Sequence, residues 1–100
     1  MNTNDLRDAI NEKLKTILDP ETGLDIFEMR LVRNLEIEPD GKVRYTIQPS
    51  SPQCPVALLI GLSIRQAIQQ LNGVTIQEIT VVNHAEAEVL NKLLNTPLEN

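Results

Sequence analysis

Between Asn34 and Gln48 apolar residues recur at every second position on both sides of Pro39-Asp40-Gly41, a pattern that leaves little freedom of fold. Period-two alternation sends side chains to opposite faces of a strand, and two such runs across a turn signature form a β-hairpin. Leu35 and Ile37 alternate with Asn34, Glu36 and Glu38 before the turn. Val43, Tyr45 and Ile47 alternate with Lys42, Arg44, Thr46 and Gln48 after it. Centring the hairpin on Asp40 sets Ile37 opposite Val43 and Leu35 opposite Tyr45 on the buried face. The same register sets Glu38 opposite Lys42 and Glu36 opposite Arg44 on the wet face, so both faces agree.

The segments around the hairpin read as helices and one more strand. Leu6, Ile10, Leu14, Ile17 and Leu18 share a helical stripe, Thr3 or Asn4 caps its start, and a helix over about 4–17 is expected. Asp19-Pro20 halts it, because the residue before a proline is pushed out of the α region. The stretch DPETGLDIFEM then makes a structured turn with room for one short helical turn. Pro55 to Leu71 reads as a helix with proline at its first position and Val56, Ile60, Ile64, Ala67, Ile68 and Leu71 on one stripe, closed by Gly73. Ile79, Val81 and Val82 mark a third strand, parallel to the strand that precedes the helix because the connection crosses over. Asn83 and Glu86 have the spacing of a capping box for a last helix over about 84–95, with Leu90, Leu93 and Leu94 facing inward.

The expected fold is therefore α+β: a single domain over residues 1–100, two layers in the order αββαβα, with a small three-stranded mixed sheet. Ile37, Val43, Tyr45, Ile47, Ile60, Ile64, Ile68 and Val81 are expected to share one core.

Charge and composition exclude several functions. A net charge of -5 opposes a phosphate backbone, and Phe27 and Tyr45 are the only aromatic side chains on which a base could stack, so no nucleic-acid partner is expected. No basic leader followed by an apolar run begins the sequence, and no stretch is long enough to span a bilayer, so no membrane partner and a cytoplasmic location are expected. One cysteine cannot form an internal disulfide, which fits a reducing compartment.

That cysteine, Cys54, lies between Pro52 and Pro55 at the expected loop-to-helix junction. A helix N-terminus offers unpaired N–H groups and the positive end of its dipole, which favour a thiolate; an accessible Cys54 is then expected to alkylate faster than an ordinary cysteine. Ser50 and Ser51 add hydroxyl donors, and the two prolines stiffen the approach. The structural alternative is a small apolar side chain filling space. Downstream, Leu58, Leu59 and Leu62 make the first turns of the helix apolar almost all round. Such a helix is either covered by the terminal helices or contacts a partner.

Asp19-Pro20-Glu21, Ile26, Leu31-Val32 before the hairpin, Ser51-Pro52-Gln53-Cys54-Pro55 opening an apolar helix, and Gly73-Val74 before a strand together resemble the iron-sulfur cluster assembly domain of the SufT and MIP-eighteen type, which includes PaaD-like proteins. The resemblance covers residues 5 to about 82. It implies a small non-enzymatic factor that assembles, carries or targets iron-sulfur clusters, with Cys54 as the cluster or thiol site. Assembly proteins or client apoproteins are the implied partners, and a transient iron-sulfur cluster the implied cofactor. Asp19 and Glu21 match the acidic motif; physically, Asp19 can cap the turn and Glu21 can sit near helical N–H groups. Arg30 stands where the pattern has glycine before Leu-Val, which puts the geometry of the Asp19 loop in question. The tryptophan and proline usual after the last strand are replaced by NHAEAEVLNKLL.

A common cluster takes about four protein ligands and this chain offers one thiol, so Cys54 alone cannot hold it. A homodimer, a small thiol or a partner must complete the shell. His84, the only histidine, reads as a surface residue beside the expected cap; a metal site would need it to meet Cys54 and a carboxylate in space. Two other functions stay open: an interaction adaptor in which the cysteine is incidental, and a thiol-dependent enzyme using Cys54 and His84.

Overall fold

The computed structural model describes residues 3–96. Helix α1 (Thr3–Leu14) is followed by a one-turn helix α2 (Ile26–Met29), the hairpin strands β1 (Val32–Ile37) and β2 (Lys42–Ile47), helix α3 (Ala57–Gln69), strand β3 (Ile76–Val81) and helix α4 (Ala87–Leu94). The sheet order is β1-β2-β3, antiparallel then parallel, as the crossover through α3 requires. Helix α1 ends at Leu14, three residues before the expected end. Thr16 and Ile17 donate back only three residues, to Lys13 and Leu14, which tightens the chain out of the α-helix before Pro20.

Alternation decides which face of the sheet is buried. Val43, Tyr45 and Ile47 of β2 and Ile79 and Val81 of β3 point into one core with Leu6 and Ile10 of α1, Ile60, Ile64 and Ile68 of α3, and Leu90 and Leu94 of α4. Ile37 packs against its rim. Each fully buried isoleucine contributes roughly 1.5–3 kcal/mol over an exposed one, so α3, with Ile64 and Ile68 at 0% exposure, is the central helix. It is covered by α1 and α4, which leaves Leu58 and Leu62 half-buried against the core and Leu59 59% exposed.

The hairpin register holds near the turn and slips beyond it. Ile37 pairs with Val43 and Glu36 with Arg44, but the pairing shifts between Arg33 and Glu36. Asn34, in the left-handed region at φ 55, carries a bulge there, so Leu35 and Tyr45 are not register partners as simple alternation expects, although Leu35 still packs against the core. On the wet face Arg44 reaches Glu36 at 3.5 Å, Glu38 at 3.9 Å and Glu78 at 2.9 Å, and Lys42 turns to Glu78 at 2.9 Å rather than to Glu38. The Lys42 hydrogen bond, aided by Arg44, holds the Glu78 carboxyl below the usual carboxylate range. These exposed pairs select the register more than they add stability.

Three further points concern Arg30 and the last helix. Arg30 itself takes the left-handed conformation (φ 56, ψ 40) at the C-cap of α2, so the side chain that replaces glycine bears the strain. No capping box starts α4: Asn83 adopts φ 55, and no side-chain cap bond forms at Glu86, the residue before the helix. Leu93 is 46% exposed rather than inward. Asn91 and Asn95, one helical turn apart, instead face the free edge of β3 and bond its backbone at Val81 and Ile79.

Candidate functional site

Parallel pairing brings the ends of β2 and β3 together, with the Val82 N–H donating to the Ile47 carbonyl at 3.1 Å. The segments after each strand therefore leave the sheet side by side. One is the Ser50–Val56 loop and the other the stretch from Asn83 to Glu86.

The first segment holds Cys54. Ser51 starts a tight turn by accepting the Gln53 N–H on Oγ at 3.2 Å and the Cys54 N–H on its carbonyl at 3.2 Å. Pro52 and Pro55 are exposed on either side. The helix begins at Ala57, two residues later than a proline-first start would put it, because Pro55 and Val56 belong to a turn closed by the Ala57 N–H on the Cys54 carbonyl at 3.4 Å. The Cys54 side chain is a free thiol and the residue is 5% exposed. Rapid alkylation requires more access than this burial gives.

The second segment meets the first directly. The Ala85 N–H donates to the Pro52 carbonyl at 2.8 Å, and the His84 Nε2 lies 3.0 Å from the Cys54 carbonyl oxygen. His84 Nδ1 accepts the Glu86 N–H at 2.9 Å. A carbonyl only accepts and an amide N–H only donates, so these contacts fit the tautomer with its proton on Nε2. Both ring nitrogens are then occupied, and His84 offers none to a metal in this conformation. The surface histidine of the sequence reading is in fact half-buried and locked to the cysteine loop.

Between the segments lies a cavity of about 360 Å³, lined by Gln53, Cys54, Pro55, Ala57 and Leu58 on one side and His84, Ala85, Glu86 and Leu90 on the other. Of the residues singled out by sequence, Cys54, Pro55 and Leu58 line it; Ser51 and Pro52 shape the loop behind it. Leu59 and Leu62 lie on α3 outside its walls. Among the described residues no group of three or more His, Cys, Asp or Glu side chains is arranged to hold a metal ion.

Asp19 lies elsewhere, in the turn between α1 and α2. It is 1% exposed and builds that turn: Oδ1 accepts the Glu21 N–H at 2.9 Å, its carbonyl accepts the Gly23 N–H at 2.8 Å, and its own N–H reaches Leu24 at 2.9 Å. This is the structural role its chemistry allows, although Oδ2 is buried without a hydrogen-bond partner. Glu21 is exposed and among the described residues accepts no helical N–H; Asp25 caps α2 instead, accepting the Glu28 N–H at 2.7 Å.

Sequence reasoning weighed a meeting of His84 with Cys54 but ranked it below a surface histidine, and it did not foresee that residues 84–90 form the second wall of the cavity. The signal was present in the topology, since a parallel third strand must deliver its following residues to the loop that follows the second strand.

Residues 7–81 match the family model of the iron-sulfur cluster assembly proteins. The chain belongs to that family. An uncharacterized protein of Methanocaldococcus jannaschii is 32% identical over 87 residues, spanning 87% of this chain and 90% of the relative. The Fe-S protein maturation auxiliary factor YitW of Bacillus subtilis is 31% identical over 77 residues, spanning 77% of this chain and 76% of its own length. The crystal structure of the domain of unknown function DUF59 from Bacillus anthracis superposes with a TM-score of 0.71 at 24% identity, covering 79% of this chain and 76% of that one, a likeness of fold. In this iron-sulfur cluster assembly protein the family match stops at Val81, so the His84 wall and α4 lie beyond it.

Proposed function

We propose that the protein is a non-enzymatic cytoplasmic factor that carries or targets iron-sulfur clusters by offering the Cys54 thiolate as one iron ligand. The observation that carries this reading is a sole thiol lining a cavity beside the start of α3, in a chain whose family assembles such clusters. When the sulfur binds iron it loses its proton and becomes a thiolate ligand. Cys54 lies on the N-terminal side of α3, where the positive end of the helix dipole favours that negative charge.

One thiol against about four ligand positions means that the cluster is cargo and not a resident group. A second copy, a small thiol, an assembly protein or a client apoprotein supplies the other ligands. Leu58 lines the cavity and Leu59 is exposed on the next position of α3, so an apolar contact can form beside the sulfur.

Anaerobic reconstitution with iron and sulfide, with and without glutathione, tests the reading by absorption spectra and by cluster transfer to an apoprotein. A labile cluster that needs a dimer, thiol or partner and disappears in Cys54→Ser supports it. A monomer that keeps a stable cluster without added thiol, or a Cys54→Ser variant that transfers clusters normally, defeats it. Normal cellular function and partner binding in Cys54→Ser would identify an adaptor, and turnover dependent on Cys54 and His84 an enzyme.

A further inference from the structure

We infer that His84 is a positioning residue that fastens the Cys54 loop shut, and that the sulfur becomes available when the strap from Asn83 to Glu86 lifts. This rests on the reading in which Cys54 carries the cluster. Cys54 is 5% exposed, yet an iron ligand must come into direct contact with the metal or with a donating partner. Something beside it has to move, and the strap is the short, mostly exposed segment bonded directly to its loop.

Two bonds between strap and loop keep the cavity closed on this side: Ala85 N–H to the Pro52 carbonyl and His84 Nε2–H to the Cys54 carbonyl. His84 is itself aimed by the Glu86 N–H on Nδ1, which fixes the tautomer that can donate to Cys54. Asn83 at φ 55 makes the bend that brings the strap over the loop. On its far side the strap leads into α4, which is held by Leu90 and Leu94 in the core and by Asn91 and Asn95 on β3. The strap is thus a short bridge between two firm elements. Most of its residues are exposed, and releasing it breaks a few polar contacts while leaving the apolar core intact, the condition for local opening well below the cost of unfolding.

Two substitutions separate the two bonds of the imidazole. His84→Asn keeps an acceptor for the Glu86 N–H, an ordinary Asx turn, but its side chain is too short to reach Cys54. His84→Gln keeps a longer donor for the Cys54 carbonyl. Iodoacetamide labelling of the native protein reads the result: His84→Asn should label roughly three- to tenfold faster than the parent, the effect of one hydrogen bond lost, and His84→Gln should stay near the parent rate. Unchanged labelling in His84→Asn, or equal acceleration in both variants, overturns the inference. The unsubstituted protein gives a second test that no folding defect can obscure. The Ala85 amide should be protected from hydrogen exchange by the same factor by which Cys54 labelling is slowed relative to the urea-unfolded chain. A thiol that labels at the unfolded rate while the Ala85 amide stays protected also overturns it. No cluster enters either measurement, so a failure of the cluster reading and a failure of the strap are told apart.

Discussion

Asn95 holds Ile79 as a neighbouring strand would. Its Oδ1 accepts the Ile79 N–H at 2.9 Å and its Nδ2 donates to the Ile79 carbonyl at 2.7 Å. One helical turn earlier Asn91 makes the same pair of bonds to Val81. Carboxamides four residues apart on a helix match residues two apart on a strand closely enough for α4 to stand in for a fourth strand.

Removing either carboxamide strips a backbone N–H and C=O of their partners at once. Asn95→Ala or Asn91→Ala should each lose about 1–3 kcal/mol in urea unfolding. The double variant should also associate with rising concentration in sedimentation velocity, because an uncovered strand edge pairs with other chains.

Arg30 stands at φ 56, where a β-carbon is strained. Arg30→Gly should therefore stabilise the protein, by at most about 1 kcal/mol once the larger unfolded-state freedom of glycine is subtracted. Chemical denaturation measures it; a loss of stability would show that the arginine side chain outweighs its own strain.

Gly41 and Gly73 have nearly equal positive φ, 94° and 97°, but different surroundings. A β-carbon on Gly41 would lie 2.0 Å from the Gly73 carbonyl oxygen, whereas one on Gly73 meets nothing within 4 Å. Gly41→Ala should cost roughly 2–4 kcal/mol and Gly73→Ala only the backbone strain, about 1 kcal/mol. Thermal unfolding of the two variants side by side isolates the clash from the conformational strain.

Burial pushes the Tyr45 hydroxyl far above its ordinary value of 10.0, against a smaller opposing pull from Arg65. Its O–H donates to Gln77 Oε1 at 2.7 Å, joining β2 to β3. The unfolded chain releases this proton near pH 10 while the folded one retains it, so stability is intact below that pH and falls as pH rises above it. Urea midpoints between pH 9 and 11 should drop more steeply for the parent than for Tyr45→Phe.

Much of this architecture was legible because local and long-range signals agreed. Ile37 opposite Val43 followed from alternation about Asp40, and the parallel third strand from a crossover that has no other reasonable form. The register beyond Glu36 was not legible, since a single left-handed Asn34 inserts a residue without altering the apolar pattern. Leu93 misled for a related reason: the inward positions of α4 that it seemed to claim belong to Asn91 and Asn95, polar residues whose partners are the backbone of a strand. The candidate site divided in the same way. Cys54 announced itself by its prolines and its place before an apolar helix. His84, thirty positions away, became its neighbour only through the parallel return of β3.

The bulge at Asn34 has a consequence for how copies of the chain can meet. It interrupts the outer row of β1, and the Leu35 carbonyl beside it is taken by Arg7 Nη1 at 2.9 Å. With α4 occupying the opposite border, neither margin of the sheet is a regular template for a further strand. A second copy of the chain would therefore have to dock through loops, helix faces or the face of the sheet rather than by extending the sheet.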